Sequence, residues 1–348
     1  RRLDRVSDWL EQQISSQRLA GASVMIGRRG AIGYARAAGL ADVERATPFT
    51  EDTIVRIFSM TKPITSVAAM MLYEQGCFQL DDPVAKYLPE FAATQVWKGP
   101  GHGLEDVEPQ HSPMLIKHLL THTSGLTYGF MNTNVVDAAY RAQQLEFPGK
   151  AATLAEWVEG LASVPLLCQP GSQWNYSVAT DVLGRLVEVW SQQQLASFFN
   201  DHIFVPLAMG DTAFSVAPQN QSRFAALYAP LSGGDMSSVG RKSSASSEQP
   251  RGGLKQMESS LQSSYFNQPK LCSGGGGLTG TLADYARFCQ MLLNGGELDG
   301  ERLLSPTTVN YMRLNQLPDG RDMAAMGQPV WSETSYDGIG FGLGFAVV

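Results

Sequence analysis

The sequence predicts a mixed α/β (α+β) fold: an antiparallel sheet flanked by helices, interrupted by a mostly helical region. Three observations predict it. Strand-like runs cluster toward the two ends of the 348 residues, and helical periodicity fills the middle. Hydrophobic residues, at 43% against 17% charged, supply enough apolar surface for a sizeable core. Ends that meet in one sheet, with helices inserted between them, are the economical arrangement. On this reading residues 1–60 and 280–348 form a discontinuous sheet domain that continues beyond position 348, and residues 61–279 form the helical domain.

The elements follow in order. Leu3, Val6, Leu10 and Ile14 lie near helical spacing, so residues 3–17 read as an amphipathic helix. Residues 22–26 and 31–34 are strands joined through Arg28-Arg29-Gly30, a hairpin with glycine at its turn. The β-branched and aromatic run 54–58 is a short strand or extended entry to a helix that begins at Ser59. That helix has Pro63 in its first turn, runs to about Gln75 and stops at Gly76. Residues 80–115 look irregular, and helices follow near 114–121, 153–162 and 178–190. The second of these opens with the capping box Thr153-x-x-Glu156. Residues 231–270, rich in Ser, Gly and Gln, read as a flexible or lid-like insertion. Thr281-x-x-Asp284 opens a helix that Gly295-Gly296 ends, and Ser305-Pro306 opens another. The alternating run 338–348 reads as a strand.

Composition narrows the function. A net charge of −7 argues against a general nucleic-acid binder, which needs a basic surface. Cys77, Cys168, Cys272 and Cys289 form no CxxC pair and no metal-ligand spacing, so free thiols, a reducing compartment and no metal site are expected. No apolar run reaches the roughly 18 residues of a membrane span. The first residues turn amphipathic at once and are not a signal peptide. A cytoplasmic location is expected, or a periplasmic or secreted one if a leader has been removed.

Chemistry concentrates at Ser59-Met60-Thr61-Lys62. Residues three apart on a helix share a face, so hydroxyl and amine can touch. A serine hydroxyl is a weak nucleophile until an adjacent base takes its proton. A buried lysine can be that base, since burial disfavours its charged form. Ser59 at a helix N-terminus also has backbone N–H groups nearby that can hold an oxyanion. One chance S-x-x-K is expected in a chain of about this length. This one directly follows a strand-like run and opens a helix held by apolar Val67, Ala68, Met71 and Leu72.

Four motifs then occur in order: Phe58-Ser-Met-Thr-Lys-Pro63, His118-Leu-Leu-Thr-His-Thr-Ser-Gly-Leu126, Pro170-Gly-x-x-Trp-x-Tyr-Ser177 and Ser273-Gly-Gly-Gly-Gly-Leu-Thr-Gly280. Together they resemble the serine β-lactamase and penicillin-binding-protein superfamily, and most of all its class C β-lactamase-like esterases, the family VIII carboxylesterases. The resemblance covers nearly the whole chain apart from 231–270. It implies a β-lactamase/transpeptidase-like fold, Ser59 as acylated nucleophile, Lys62 as its base and Tyr176 as proton relay to the leaving group. The backbone N–H of Ser59 would serve the oxyanion, and no cofactor would be needed. Tyr128 can line an acyl pocket or simply pack. Ser124, a turn residue near the site, and Gly275 and Gly276 complete the candidate substrate-binding set.

Two departures shape the expected activity. Lactam-active members commonly carry Tyr-x-Asn, whose amide holds the substrate; here that third position is Val178. The expectation therefore shifts to small, short-acyl esters, with β-lactam or D-Ala-D-Ala-type cleavage and acyl transfer as alternatives on the same machinery. A non-catalytic binding role is the remaining alternative. The family's third element, of Lys-Thr-Gly, His-x-Gly or Trp-Gly-Gly type, has no convincing match before Val348; either it lies beyond that residue or the oxyanion hole is incomplete. No G-x-S-x-G occurs, which disfavours an α/β-hydrolase elbow. His118 and His122 lack the glutamate of a zinc-protease helix and read as structural, and Gly274–Gly277 is not followed by the Gly-Lys of a P-loop.

Overall fold

The computed structural model describes residues 3–146, 150–231, 253–327 and 336–348. The chain enters through α1 (Asp4–Ser15), which packs against the hairpin of β1 (Gly21–Arg28) and β2 (Ala31–Asp42). Arg29 and Gly30 turn that hairpin with φ of 53° and 77°, the left-handed pair a two-residue turn requires. β3 (Thr47–Pro48) adds a third antiparallel strand beside β2. β4 is only Val55–Arg56. A turn of 3-10 helix, Phe58–Met60, leads from it into α2 (Thr61–Glu74), so the regular helix begins two residues later than its sequence suggests. Gly76, at φ 75°, ends that helix as expected.

A small antiparallel pair, β5 (Val96–Trp97) and β6 (Val107–Glu108), interrupts the irregular stretch that follows. Then come α3 (Ile116–Leu120), α4 (Val135–Gln143), α5 (Leu154–Ala162), α6 (Ala179–Ser191) and α7 (Leu195–Phe199). Thr153 caps α5 by accepting from the Glu156 N–H, and Glu156 returns its carboxylate to the Ala152 N–H at 2.8 Å. α4 was not foreseen, although Asn134 caps it and Val136, Ala139 and Tyr140 bury one face. α6 lies at the centre, packed against α2, α3, α5 and α7. Its Val182, Leu183, Leu186 and Val187 join Ile64, Val67 and Ala68 of α2 in the main hydrophobic core.

β7 (Leu227–Pro230) and β8 (Leu254–Glu258) form an antiparallel pair. The stretch expected to be a loose insertion, 231–270, thus contains a strand and a short 3-10 turn, Ser264–Phe266. Residues 232–252 of it lie outside the described residues. β9 (Thr279–Gly280) pairs with β4 across more than two hundred intervening residues, Val55 opposite Gly280. α8 (Leu282–Leu293), capped by Thr281, packs on β1. β10 (Glu297–Leu298), β11 (Glu301–Arg302) and α9 (Pro306–Met312) follow.

The closing run forms not one strand but two short ones, β12 (Gly340–Phe341) and β13 (Ala346–Val347). Among the described residues they pair with each other and not with β1–β3, so the two chain ends do not join in one sheet there. Glycine at every second position explains the shortness: it gives the strand no side chains to pack on that face. Phe341 instead joins Trp174, Leu317, Met323 and Met326 in a satellite core near the site. The helix-flanked, antiparallel character is as the sequence indicates.

Candidate active site

Ser59 is placed by backbone rather than by its own side chain. The Ile57 N–H donates to the Leu278 carbonyl at 3.0 Å and continues the β4–β9 pairing. Phe58 then takes φ 43°, a left-handed conformation that costs a bulky residue of order 1–3 kcal/mol. The Met60 N–H closes the turn on the Ile57 carbonyl at 3.0 Å. Tyr285 of α8 pins the turn from outside, its hydroxyl donating to the Met60 carbonyl at 3.0 Å. The result is an exposed Ser59 between two half-exposed apolar neighbours, Phe58 and Met60.

One helical turn on, Lys62 is buried at 5% exposure. Its Nζ has three partners: Ser59 Oγ at 3.2 Å, Tyr128 OH at 3.1 Å and the Gly275 carbonyl at 2.7 Å. The amine also sits 4.6 Å from the centre of the Tyr176 ring. The rings of Tyr128 and Tyr176 stand 5.5 Å apart, and Phe130 stacks on Tyr128 at 4.6 Å. Ser59, Lys62, Tyr128, Tyr176 and Gly275 therefore converge on one place. Two hydroxyls touch the amine directly, those of Ser59 and Tyr128.

The tyrosines arrive through two segments laced together. The Asn175 N–H donates to the His122 carbonyl at 2.8 Å, Asn175 Nδ2 to the Leu126 carbonyl at 2.9 Å, and the Val178 N–H to the Thr127 carbonyl at 3.3 Å. Gly125 turns the first segment at φ 83°, where a Cβ would stand 2.3 Å from the Cys168 carbonyl oxygen. Ser124 is fully buried and its Oγ accepts from the Leu126 N–H at 3.3 Å. It braces this turn and offers a substrate no surface, which corrects its expected place among the binding residues. Gly276 lies beside Phe58, where a Cβ would meet the Phe58 backbone at an ordinary 3.8 Å.

Electrostatics distinguish the groups. The Tyr128 ring is partly exposed, yet burial around its hydroxyl, reinforced by the Asp181 charge, pushes its ionisation well above the usual phenol value. His122 is held down to about 3 by burial and then by the Lys62 charge, so it is a neutral ring. Its Nδ1 lies 3.2 Å from Ser177 Oγ and its ring 5.0 Å from that of Tyr176, a packing role. His118 is held down to about 4, mainly by burial, and its Nδ1 accepts the Leu115 N–H at the start of α3. Val178 is 1% exposed and faces the core. The four cysteines are free thiols. Among the described residues no helix is long and apolar enough to cross a membrane.

Sequence reasoning missed Asp181. It is buried in the first turn of α6, where an acid reads as a complement to the helix dipole. Its Oδ1 instead accepts from Ser273 Oγ at 2.5 Å and from the Gly275 N–H at 2.9 Å.

The chain is similar to known proteins over most of its length. Residues 6–347 match the family model described as Beta-lactamase. Protein Rv1367c of Mycobacterium tuberculosis is 35% identical over 331 residues, 95% of this chain and 75% of that protein. Esterase EstB of Burkholderia gladioli is 40% identical over 230 residues, 65% of this chain and 54% of the esterase. The solved structure of EstCE1, described as a hydrolase with promiscuous acyltransferase activity, superposes with a TM-score of 0.75 at 28% identity, covering 99% of this chain and 82% of that one.

Proposed function

The chain belongs to the beta-lactamase family, and from that membership and the site geometry we propose that it is a serine hydrolase of small carboxylic esters acting through a Ser59 acyl-enzyme. The observation that carries the reading is the Ser59–Lys62 pair: an exposed hydroxyl 3.2 Å from a buried amine. Water reaches the nucleophile, while the base is shielded and aimed. The Gly275 carbonyl and the Tyr128 hydroxyl hold the amine from two further sides, so it stays directed at Ser59.

Ser59 Oγ attacks the ester carbonyl carbon as its proton passes to Lys62 Nζ. The tetrahedral oxyanion is met by the Ser59 N–H. The C–O bond to the alcohol breaks, and the proton passes from Lys62 through the Tyr176 hydroxyl to the departing oxygen. Water then attacks the acyl-enzyme with the same groups in reversed roles, releasing the acid. Two observations favour esters over β-lactams. Val178 occupies the position of an amide-bearing residue and is buried, and the curated relative EstB is an esterase.

The test is mass spectrometry after fluorophosphonate treatment, alongside hydrolysis of a short p-nitrophenyl ester. One adduct on Ser59 and loss of turnover in Ser59→Ala are expected; unchanged turnover in that variant removes the proposal. Nitrocefin turnover rivalling that of the ester would replace esterase by β-lactamase. Acyl transfer is the second reading, favoured by the transferase activity of the EstCE1 neighbour. It requires that added alcohol divert the acyl group from water.

A further inference from the structure

We propose that Asp181 is a positioning residue for the base: it fixes the Gly275 peptide so that the Gly275 carbonyl holds the Lys62 amine against Ser59. The inference rests on the reading of Ser59 and Lys62 just given. Asp181 is 6% exposed, and a carboxylate so buried is costly unless it is well satisfied. Its Oδ1 takes both the Ser273 hydroxyl at 2.5 Å and the Gly275 N–H at 2.9 Å. The carbonyl of the same glycine takes the Lys62 amine at 2.7 Å. Thr65 ties the loop to α2 from the other side, donating to the Gly274 carbonyl at 2.7 Å.

Close packing makes the arrangement stiff. A Cβ on Gly275 would stand 2.3 Å from Asp181 Oδ2, and one on Gly274 would stand 2.8 Å from the Thr180 carbonyl oxygen. Glycine is therefore required where the loop crosses α6. The carbonyl can only accept, so it always engages an N–H of the amine and sets the direction of the remaining positions on nitrogen. A displacement of the loop by an ångström would turn the amine away from Ser59, and misplacement on that scale costs up to about a hundredfold in rate.

The experiment compares Asp181→Ala, Asp181→Asn and Gly275→Ala with the wild-type chain, with Ser59→Ala as blank. Fluorophosphonate labelling rate, kcat and KM on a short p-nitrophenyl ester are read. Asp181→Ala is expected to lower labelling rate and kcat by about ten- to a hundredfold, with KM changed less than about twofold. Asp181→Asn keeps the Oδ1 acceptor and should recover most of the lost rate. Wild-type rates in Asp181→Ala overturn the proposal, as does an asparagine variant as slow as the alanine one. If Asp181→Ala does not fold, Gly275→Ala must show the same kcat loss, and a wild-type rate there overturns the proposal equally. A wild-type chain that does not label removes the Ser59 reading instead. The crystal structure of the Asp181→Ala or Gly275→Ala chain then decides the positional claim. A Gly275 carbonyl withdrawn from Lys62 supports it, and one still at 2.7 Å refutes it.

Discussion

Two tyrosines crowd Lys62, and replacing each by phenylalanine separates a proton carrier from a holder. Tyr128→Phe removes a hydroxyl 3.1 Å from the amine, while the amine keeps Ser59 Oγ at 3.2 Å and the Gly275 carbonyl at 2.7 Å. The ring remains and so does its stacking on Phe130. One such hydrogen bond is worth about 1 kcal/mol net, so kcat/KM should fall about fivefold. Burial holds the Tyr128 phenol protonated far above neutrality, which makes it a poor shuttle. Tyr176→Phe removes the proposed relay, and loss of such a group costs about a hundredfold or more. The assay uses two esters of one acid, a p-nitrophenyl ester and an ethyl ester. The nitrophenolate departs without help and the ethoxide does not. Tyr176→Phe should therefore damage ethyl-ester hydrolysis more, whereas Tyr128→Phe should affect both alike. A hundredfold loss in Tyr128→Phe with a small loss in Tyr176→Phe would exchange the roles; small losses in both would remove tyrosine relay from the mechanism.

Other substitutions probe the supports of the site. Gly125→Ala places a methyl 2.3 Å from the Cys168 carbonyl oxygen at φ 83°; thermal unfolding should show destabilisation by about 2–3 kcal/mol, and a change within about 0.5 kcal/mol would mean that the turn yields freely. Arg56→Met removes a buried guanidinium that donates to the Ala225 carbonyl at 2.9 Å, pairs with Glu258 at 2.9 Å and lies 4.3 Å over the Phe224 ring. Because Glu258 keeps some contact with water, a loss of about 3 kcal/mol is expected, the low end for a broken buried pair, and an unchanged urea midpoint would contradict it. His122 has its pKa lowered from its ordinary 6.5 to about 3, so the folded chain binds fewer protons than the unfolded one. Its contribution is complete above about pH 6.5 and is lost as pH falls toward 3. By pH 4.5 that loss amounts to roughly 3 kcal/mol. Urea unfolding at pH 7 and 4.5 should show a smaller drop for His122→Gln than for wild type, and equal drops would contradict a neutral buried ring.

What could be read in advance depended on the range of the interaction involved. The contact between Ser59 and Lys62 follows from their spacing, and the caps at Thr153, Thr281 and Ser305 follow from side chains bonding N–H groups three positions on. No local rule brings position 128 or 176 to position 62; the order of motifs suggested it for Tyr176, while Tyr128 was expected only to line an acyl pocket or to pack, and its contact with the amine is new. β8 was hidden because Leu254-Lys-Gln-Met-Glu258 alternates weakly within a Ser- and Gly-rich stretch. The closing run misled in the opposite way, since Gly338, Gly340, Gly342 and Gly344 mimic a strand period without side chains to sustain one. Asp181 gave no signal because an acid in a helix's first turn has an ordinary explanation, and its true partners lie about ninety residues away in the glycine run.

That glycine run shows why the pieces of the site have to fold together. β9 lies beside β4 and holds the strand that delivers Ser59, while Thr61 Oγ1 accepts the Leu278 N–H at 3.2 Å just beneath the nucleophile. Three residues before Leu278, Gly275 of the same segment presents its carbonyl to Lys62 and its N–H to Asp181. One short loop therefore braces both the strand that delivers the nucleophile and the amine of the base, and links them to the central helix. A side chain on Gly274, Gly275 or Gly277 would meet α6 or Phe214 closer than 3.0 Å. Since the loop cannot swell, its position is fixed by its neighbours rather than by its own conformational preferences. This gives a flexible sequence a rigid place. It also accounts for an aligned Ser59–Lys62 pair beside a backbone, at Phe58, that is held against its own preference.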